Sequence, residues 1–98
     1  MELRKPRHDL AVVKRLIREG RVIITHTALC DARSLGLFRA DIVNTVLALE
    51  AGDFYKSMTA HRDHRLWMDV YRKATAAGPV YLKLTIEEDA VIISFKEL

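Results

Sequence analysis

The chain has 98 residues, half of them hydrophobic, and a formal net charge of +3. This length supports one compact domain over residues 1–98 and leaves no room for a second core. No apolar run approaches the roughly 20 residues that span a bilayer, so neither secretion nor membrane insertion is expected. Cys30 is the single cysteine, which excludes an internal disulfide and indicates a reducing, cytoplasmic compartment.

Positive charge is concentrated at the front of the chain. Seven Lys or Arg residues but only three Asp or Glu residues precede Val22. A basic surface of this kind can attract phosphate groups. It is more often simply a solvated helix face, so the charge alone does not make this chain an RNA-binding protein.

The first predicted helix follows this charged start. Asp9 can cap it and Gly20 can end it. Its apolar residues fall on one helical stripe, made of Leu10, Val13, Leu16 and Ile17. A β-branched run at residues 22–25 then predicts a short strand.

Two further helices are predicted before the middle of the chain. Residues 27–35 form a short helix that ends at Gly36, and residues 38–49 form a helix that Gly52 breaks. The core-facing residues of the latter are Ile42, Val43, Val46, Leu47 and Leu49.

The second half of the chain predicts strands at residues 53–59, 66–71, 80–87 and 90–95, with residues 74–79 as a loop. Short connections favour antiparallel pairing. Apolar and polar residues alternate, so one sheet face is apolar. We therefore predict an α+β fold in which N-terminal helices cover one face of a twisted, mainly antiparallel sheet.

The uncovered face of that sheet is predicted to be cationic and rich in hydroxyl groups. In the last strand we expect Val91, Ile93 and Phe95 to share the apolar face. The side chains expected on the open face are Tyr81, Lys83, Thr85, Ser94 and Lys96. In the strand at residues 53–59 the alternation leaves two registers open, with either Lys56 or its neighbours Tyr55 and Ser57 on that face.

Lysine and tyrosine could support RNA cleavage without a metal ion. That reaction needs one group to take the 2′-OH proton, another to protonate the leaving 5′-oxygen, and cations beside the phosphate. Lysines on a sheet face are, however, most often solvent-facing solubilising residues.

The histidines and aromatic residues allow several interpretations. His61 and His64 lie in a predicted polar loop. His64 could act on RNA, and no zinc site is expected because the chain offers no obvious carboxylate or cysteine set to complete one. Trp67 and Tyr71 could stack on bases, although packing in the core is the more frequent role of such aromatics.

Several separated blocks of the sequence closely resemble the MqsR toxin family. These blocks are residues 53–59 (DFYKSMT), 63–64 (DH), 67–72 (WMDVYR), 80–83 (VYLK) and 94–97 (SFKE). The resemblance covers essentially the whole chain and implies a RelE-like α/β fold. It also implies an mRNA interferase of a toxin–antitoxin system, which cuts single-stranded mRNA at GCU-like or other GC-containing triplets.

The resemblance also implies an active site. Its catalytic residues are Lys56, Tyr81 and Lys96, with the lysines as electrostatic or proton-transfer groups and the tyrosine as a proton-transfer or phosphate-orienting group. Met68 stands where the family usually has glutamine, and a thioether cannot donate the hydrogen bond that an amide can. The further substrate-binding candidates are Arg72, Lys83 and His64. No metal and no cofactor are expected in this chain.

The implied partner is an MqsA-type antitoxin, with a zinc-binding N-terminal part and a helix-turn-helix that binds DNA, so DNA would be contacted only indirectly. Two alternatives stay open. A catalytically weakened toxin would act mainly as a transcriptional regulator of its operon through that antitoxin. A plain RNA-binding module would use the basic first helix and the sheet face.

Overall fold

The computed structural model describes residues 1–98 and contains three α-helices and six strands. The helices are α1 (Leu10–Arg18), α2 (His26–Ser34) and α3 (Arg39–Leu47), and a 3-10 turn follows at Ala51–Asp53. The strands are β1 (Glu2–Leu3), β2 (Val22–Ile24), β3 (Phe54–Thr59), β4 (Trp67–Thr75), β5 (Gly78–Ile86) and β6 (Ala90–Glu97).

All strands form one sheet in the order β1-β3-β4-β5-β6-β2. Every pairing is antiparallel except that of β2 with β6, which is parallel. The predicted α+β class is confirmed, with a mixed sheet; its RelE-like character stays a prediction. None of the helices combines the length and the apolar character needed to cross a membrane.

Helix α1 begins and ends at the predicted signals, whereas α3 ends at Leu47, before the predicted break at Gly52, which lies in the 3-10 turn. The Asp9 carboxylate accepts a hydrogen bond from the Ala11 amide at the start of α1. Gly20 follows α1 with a φ of +77°, a conformation that glycine adopts without strain. Its amide donates to the Ile17 carbonyl while the Arg21 amide donates to Leu16, which closes the helix.

One face of the sheet carries the core. A cluster of 16 buried residues joins the three helices to strands β2, β4, β5 and β6. Val13, Ala28 and Ile42 represent the helices in this cluster, and Tyr71 and Leu82 the sheet. We call this the core face and the opposite side the open face. The helices therefore leave the open face uncovered, as predicted.

One prediction about strand ends was wrong, and one strand was not predicted. Residues 74–79 are not a loop, because β4 continues to Thr75 and β5 starts at Gly78. The turn between them is only two residues long, and the Thr75 hydroxyl donates to the Gly78 carbonyl across it. Strand β1 and its pairing with β3 were not predicted, since two residues carry no periodic signal.

The alternation predicted for the last strand is also wrong in its first half. The β5–β6 ladder slips by one position, which leaves Ile93 as an extra residue in β6. Ile92 and Phe95 are both buried in the core cluster although they lie three residues apart. Ile92 therefore takes the place on the core face that was predicted for Val91.

Candidate active site

A bulge in β3 determines which of its side chains reach the open face. Phe54 is opposite Tyr71 and Lys56 is opposite Val70, so Tyr55 is inserted between two paired positions. The Phe54 ring packs edge-on against Tyr71 in the core, with centroids 5.6 Å apart. The bulge thus sends Phe54 to the core face while Tyr55 and Lys56 both border the open face.

The open face contains a cavity of about 370 Å³ over β3, β4 and β5. Its lining residues are Tyr55, Lys56, Met58, Val70, Arg72, Tyr81, Lys83 and Leu98. Three of them are cationic and none is acidic. The fold therefore brings together four of the predicted site residues, namely Lys56, Arg72, Tyr81 and Lys83.

Strand register explains this grouping. Arg72 is directly opposite Tyr81 across the β4–β5 ladder, and Tyr81 is directly opposite Lys96 across the β5–β6 ladder. Opposite residues of paired strands have Cβ atoms roughly 5 Å apart and share a face. A row of Arg72, Tyr81 and Lys96 therefore crosses three strands.

The Lys96 ammonium group, however, is not among the groups that line the cavity. It lies 3.7 Å from a carboxylate oxygen of Asp31 in α2, and nearly half of its side chain is exposed. The other oxygen of Asp31 accepts a hydrogen bond from the Phe95 amide at 3.1 Å. Asp31 is thus fixed at the edge of β6 and holds Lys96 there.

Met68 and His64 also lie outside the cavity lining. Met68 is 6% exposed and is opposite Met58, which does line the cavity. His64 lies in the loop between β3 and β4 with an exposed side chain. No group of three or more His, Cys, Asp or Glu side chains in the structure could hold a metal ion.

Cationic groups surround the Tyr55 ring. The guanidinium carbon of Arg72 is 3.6 Å from the ring centroid, the Lys56 ammonium nitrogen 5.3 Å, and the Arg4 guanidinium carbon 5.8 Å. Such contacts are favourable because the ring face is electron-rich. Tyr55 is 37% exposed, so its ring forms part of the cavity wall while remaining accessible.

One carboxylate reaches this cationic group from the sheet edge. Glu2 in β1 is opposite Met58, and its carboxylate accepts a hydrogen bond from the Lys56 ammonium at 2.9 Å. The hydrogen bond from Lys56, and then its charge, hold the pKa of Glu2 below the ordinary value. Glu2 is therefore ionised where it meets Lys56.

The prediction that Thr85 and Ser94 are displayed on the open face was wrong, because both are buried. The Thr85 hydroxyl donates to the Trp67 carbonyl at 2.8 Å and lies 3.1 Å from His8 Nε2. Ser94 is opposite Lys83, and its hydroxyl has no hydrogen-bond partner.

The two aromatic residues considered for base stacking are both engaged in the protein. Tyr71 is 1% exposed and belongs to the core cluster. The guanidinium carbon of Arg7 lies 4.5 Å from the centroid of the Trp67 ring. Tyr55 was not predicted as a site residue, although it stands in the block of residues 53–59, and no sequence pattern pointed to Glu2.

The comparison with known proteins identifies the family of this chain. Residues 5–97 match the family described as motility quorum-sensing regulator, toxin of MqsA. The chain belongs to the MqsR toxin family. It is similar to the mRNA interferase toxin MqsR of Escherichia coli (strain K12), with 46% identity over 97 residues that cover 99% of each chain. The family membership predicted from the sequence blocks is thereby confirmed.

Proposed function

We propose that this chain is a toxin endoribonuclease that cuts single-stranded mRNA at GC-containing, GCU-like triplets without a metal ion and thereby arrests growth in the cytoplasm. The observation that carries the proposal is the cavity on the open face. It groups Lys56, Arg72, Tyr81 and Lys83 with no acidic lining residue, on a chain of the MqsR toxin family.

The proposed reaction is an internal transesterification of RNA. The 2′-oxygen attacks the adjacent phosphorus and the bond from phosphorus to the 5′-oxygen breaks. One protein group accepts the 2′-OH proton and another donates a proton to the 5′-oxygen. The products are a 2′,3′-cyclic phosphate and a 5′-hydroxyl, so no water, metal or side-chain nucleophile is consumed.

The cavity side chains fit distinct parts of this reaction. Lys56, Arg72 and Lys83 can stabilise the extra negative charge on the phosphate oxygens during the attack. Tyr81 lies between Arg72 and Lys96 in the row across the sheet, so its hydroxyl can pass a proton or orient the phosphate. We assign Lys96 a proton-transfer or charge-stabilising role after it leaves Asp31.

The exposed Tyr55 ring supports a single-stranded substrate. Unstacked bases bind to proteins by stacking on aromatic rings and arginine planes. Tyr55 and the Arg72 guanidinium beside it form such a platform at the cavity wall. We propose that His64 contacts RNA outside the cavity and that Met68, buried opposite Met58, affects RNA binding through Met58.

An alternative is that the chain is a weakened enzyme that acts mainly as a regulator through its antitoxin. The observation that favours it is Met68, which replaces the usual glutamine and lies buried against Met58 beside the cavity. We propose an MqsA-type antitoxin, with a zinc-binding part and a DNA-binding helix-turn-helix, as the partner in both cases.

A plain RNA-binding module using α1 and the open face together is less favoured. Helix α1 packs on the core face through Val13, Leu16 and Ile17, so its basic residues lie across the sheet from the cavity. One basic residue of α1 and one just after it also have local partners: the Lys14 ammonium donates to the Leu49 carbonyl, and Arg21 pairs with Asp89 at 3.1 Å.

The test is cleavage of a defined single-stranded RNA in excess EDTA, with the new 5′ ends mapped. We expect the wild type to cut at GC-containing triplets, and Lys56→Ala and Lys96→Ala to lower the rate by about 100-fold or more, the usual loss of a charge-stabilising group. Arg18→Ala, which removes one positive charge from α1, is the matched control and should cut normally.

The variant Met68→Gln separates the two candidate functions. Faster cutting by Met68→Gln than by the wild type would identify a working enzyme limited at this position. No cutting by the wild type, with activity appearing only in Met68→Gln, would establish the regulatory alternative. Near-normal cutting by both lysine variants would exclude the assigned roles.

A further inference from the structure

The ion pair between Glu2 and Lys56 lies at the edge of the candidate active site. Glu2 shares the open face with Met58, its partner across the β1–β3 ladder, and its carboxylate is 2.9 Å from the Lys56 ammonium. The Lys56 side chain is 21% exposed and that of Glu2 is 57% exposed. Lys56 is therefore reached from solvent on the side where Glu2 lies.

A carboxylate and a phosphate bind an ammonium group through the same kind of contact, a charge-assisted hydrogen bond to an anionic oxygen. The Glu2 carboxylate is the one anionic group in an ion pair with the cations that line the cavity. Arg72 and Lys83 have no ion-pair partner there. Glu2 thus occupies an anion-binding position in a site whose other two cations form no ion pair.

We propose that Glu2 marks a phosphate-binding position of the site and acts as a built-in competitor, so that an RNA phosphate must displace its carboxylate to reach Lys56. This inference rests on the proposed function, because it takes Lys56 as a contact to RNA phosphate. The displaced carboxylate belongs to an exposed side chain and can turn into solvent.

The backbone of β1 stays in place when this exchange occurs. The amino terminus donates to the Thr59 hydroxyl at 3.3 Å, and the Thr59 amide donates to the Met1 carbonyl at 3.1 Å. Neither bond uses the Glu2 carboxylate. The substitution Glu2→Gln therefore removes the charge of the competitor and leaves the strand that carries it.

The experiment measures binding of a 2′-O-methylated RNA that contains a GCU triplet. This probe cannot be cut, because each attacking 2′-oxygen is blocked. Glu2→Gln is compared with Glu19→Gln, which removes the same charge at the C-terminal end of α1. Each measurement is repeated in a Lys56→Ala background, so that the coupling between Glu2 and Lys56 is isolated.

We expect Glu2→Gln to bind the probe about threefold more tightly than Glu19→Gln does, a change of the size that exposed ion pairs contribute. In the Lys56→Ala background the gain should vanish, because the carboxylate then has no ammonium to compete for. Equal affinities of Glu2→Gln and Glu19→Gln, or weaker binding by Glu2→Gln, would overturn the inference.

The same measurements distinguish this inference from the proposed function. Weaker binding by Lys56→Ala, combined with equal affinities of the two glutamine variants, overturns the competitor role alone. Unchanged binding by Lys56→Ala removes Lys56 from the RNA contacts and overturns both the competitor role of Glu2 and the phosphate-binding role proposed for Lys56. The tighter binding of Glu2→Gln, even on a chain that does not cut RNA, still supports the competitor.

Discussion

Thr85 and Ser94 are buried hydroxyl residues on neighbouring strands with opposite hydrogen-bonding states. The Thr85 hydroxyl is bonded to the Trp67 carbonyl, whereas the Ser94 hydroxyl has no partner. A bonded buried hydroxyl contributes to stability, and an unbonded one has lost its hydration without compensation. The two residues should therefore respond differently when the hydroxyl is removed.

We expect Thr85→Val to lower the free energy of unfolding by about 1–2 kcal/mol, because it deletes a buried hydrogen bond at nearly constant volume. Ser94→Ala should leave the free energy of unfolding unchanged or raise it by up to about 1 kcal/mol. Urea unfolding of the two variants and the wild type measures both changes. A loss in Ser94→Ala equal to that in Thr85→Val would mean that Ser94 binds a partner such as water.

The candidate site was predictable residue by residue only in part. The family blocks identified Lys56 and Tyr81, which the structure brings to one cavity. The family blocks also predicted Lys96 as a catalytic residue, yet Asp31 of α2 holds its ammonium group outside the cavity. Sequence spacing places a Cβ atom on a face, but the direction of a long side chain depends on charges from other elements.

Asp69 of β4 is one of the buried side chains that attach the N-terminal segment to the sheet. Its carboxylate accepts hydrogen bonds from the amides of Arg7 and His8, both at 2.9 Å, and from the Ser57 hydroxyl at 2.5 Å. Buried carboxylates are tolerated when such donors surround them. The segment before α1 is therefore a fixed part of the fold, which positions β1 and Glu2.

We expect Asp69→Asn to lower the free energy of unfolding by about 2 kcal/mol, because an amide nitrogen in place of one oxygen faces backbone donors that need an acceptor. Hydrogen exchange at the Arg7 and His8 amides should become faster. Asp9→Asn is the matched control, since asparagine also caps helices well and should leave both quantities unchanged. Unaltered exchange in Asp69→Asn would show that the segment is held by other contacts.

The elements themselves followed from local patterns, whereas their irregularities did not. Helical stripes, caps and alternating strands predicted all three helices and five of the six strands within a few residues. The bulges at Tyr55 and Ile93 were not predicted, because a bulge is fixed by the neighbouring strand with which a residue must pair. The bulge at Tyr55 changes which side chains border the cavity.

The whole molecule has one core cluster, which supports the proposed single domain over residues 1–98. Tyr71 lies in that cluster beside Phe54. Burial, followed by the negative charges of Asp69, Asp9 and Asp53, raises the pKa of Tyr71 to about 12. The folded protein therefore favours the neutral phenol more strongly than the unfolded chain does.

This difference predicts a loss of stability at alkaline pH. Because the pKa of Tyr71 is higher in the folded protein, the neutral phenol contributes to the free energy of unfolding. This contribution is fully present below the unfolded pKa near 10 and is lost as the pH rises toward about 12. The stability at stake is on the order of 3 kcal/mol, which corresponds to the difference between these two pKa values. In urea titrations between about pH 9 and 12, limits that bracket the two pKa values, the free energy of unfolding should fall less for Tyr71→Phe than for the wild type. Identical slopes would contradict the assignment to Tyr71.

By itself the sequence determined the α+β class, the order of the main elements, the family and the catalytic candidates, because these depend on local periodicity and on blocks of residues in order. Only the tertiary structure decided that Lys56, Arg72, Tyr81 and Lys83 line one cavity, that Lys96 is held by Asp31 and that Glu2 meets Lys56. These contacts join residues up to 65 positions apart, between Asp31 and Lys96, and no local pattern encodes them. They arise when strand pairing and bulges fix the register of the sheet.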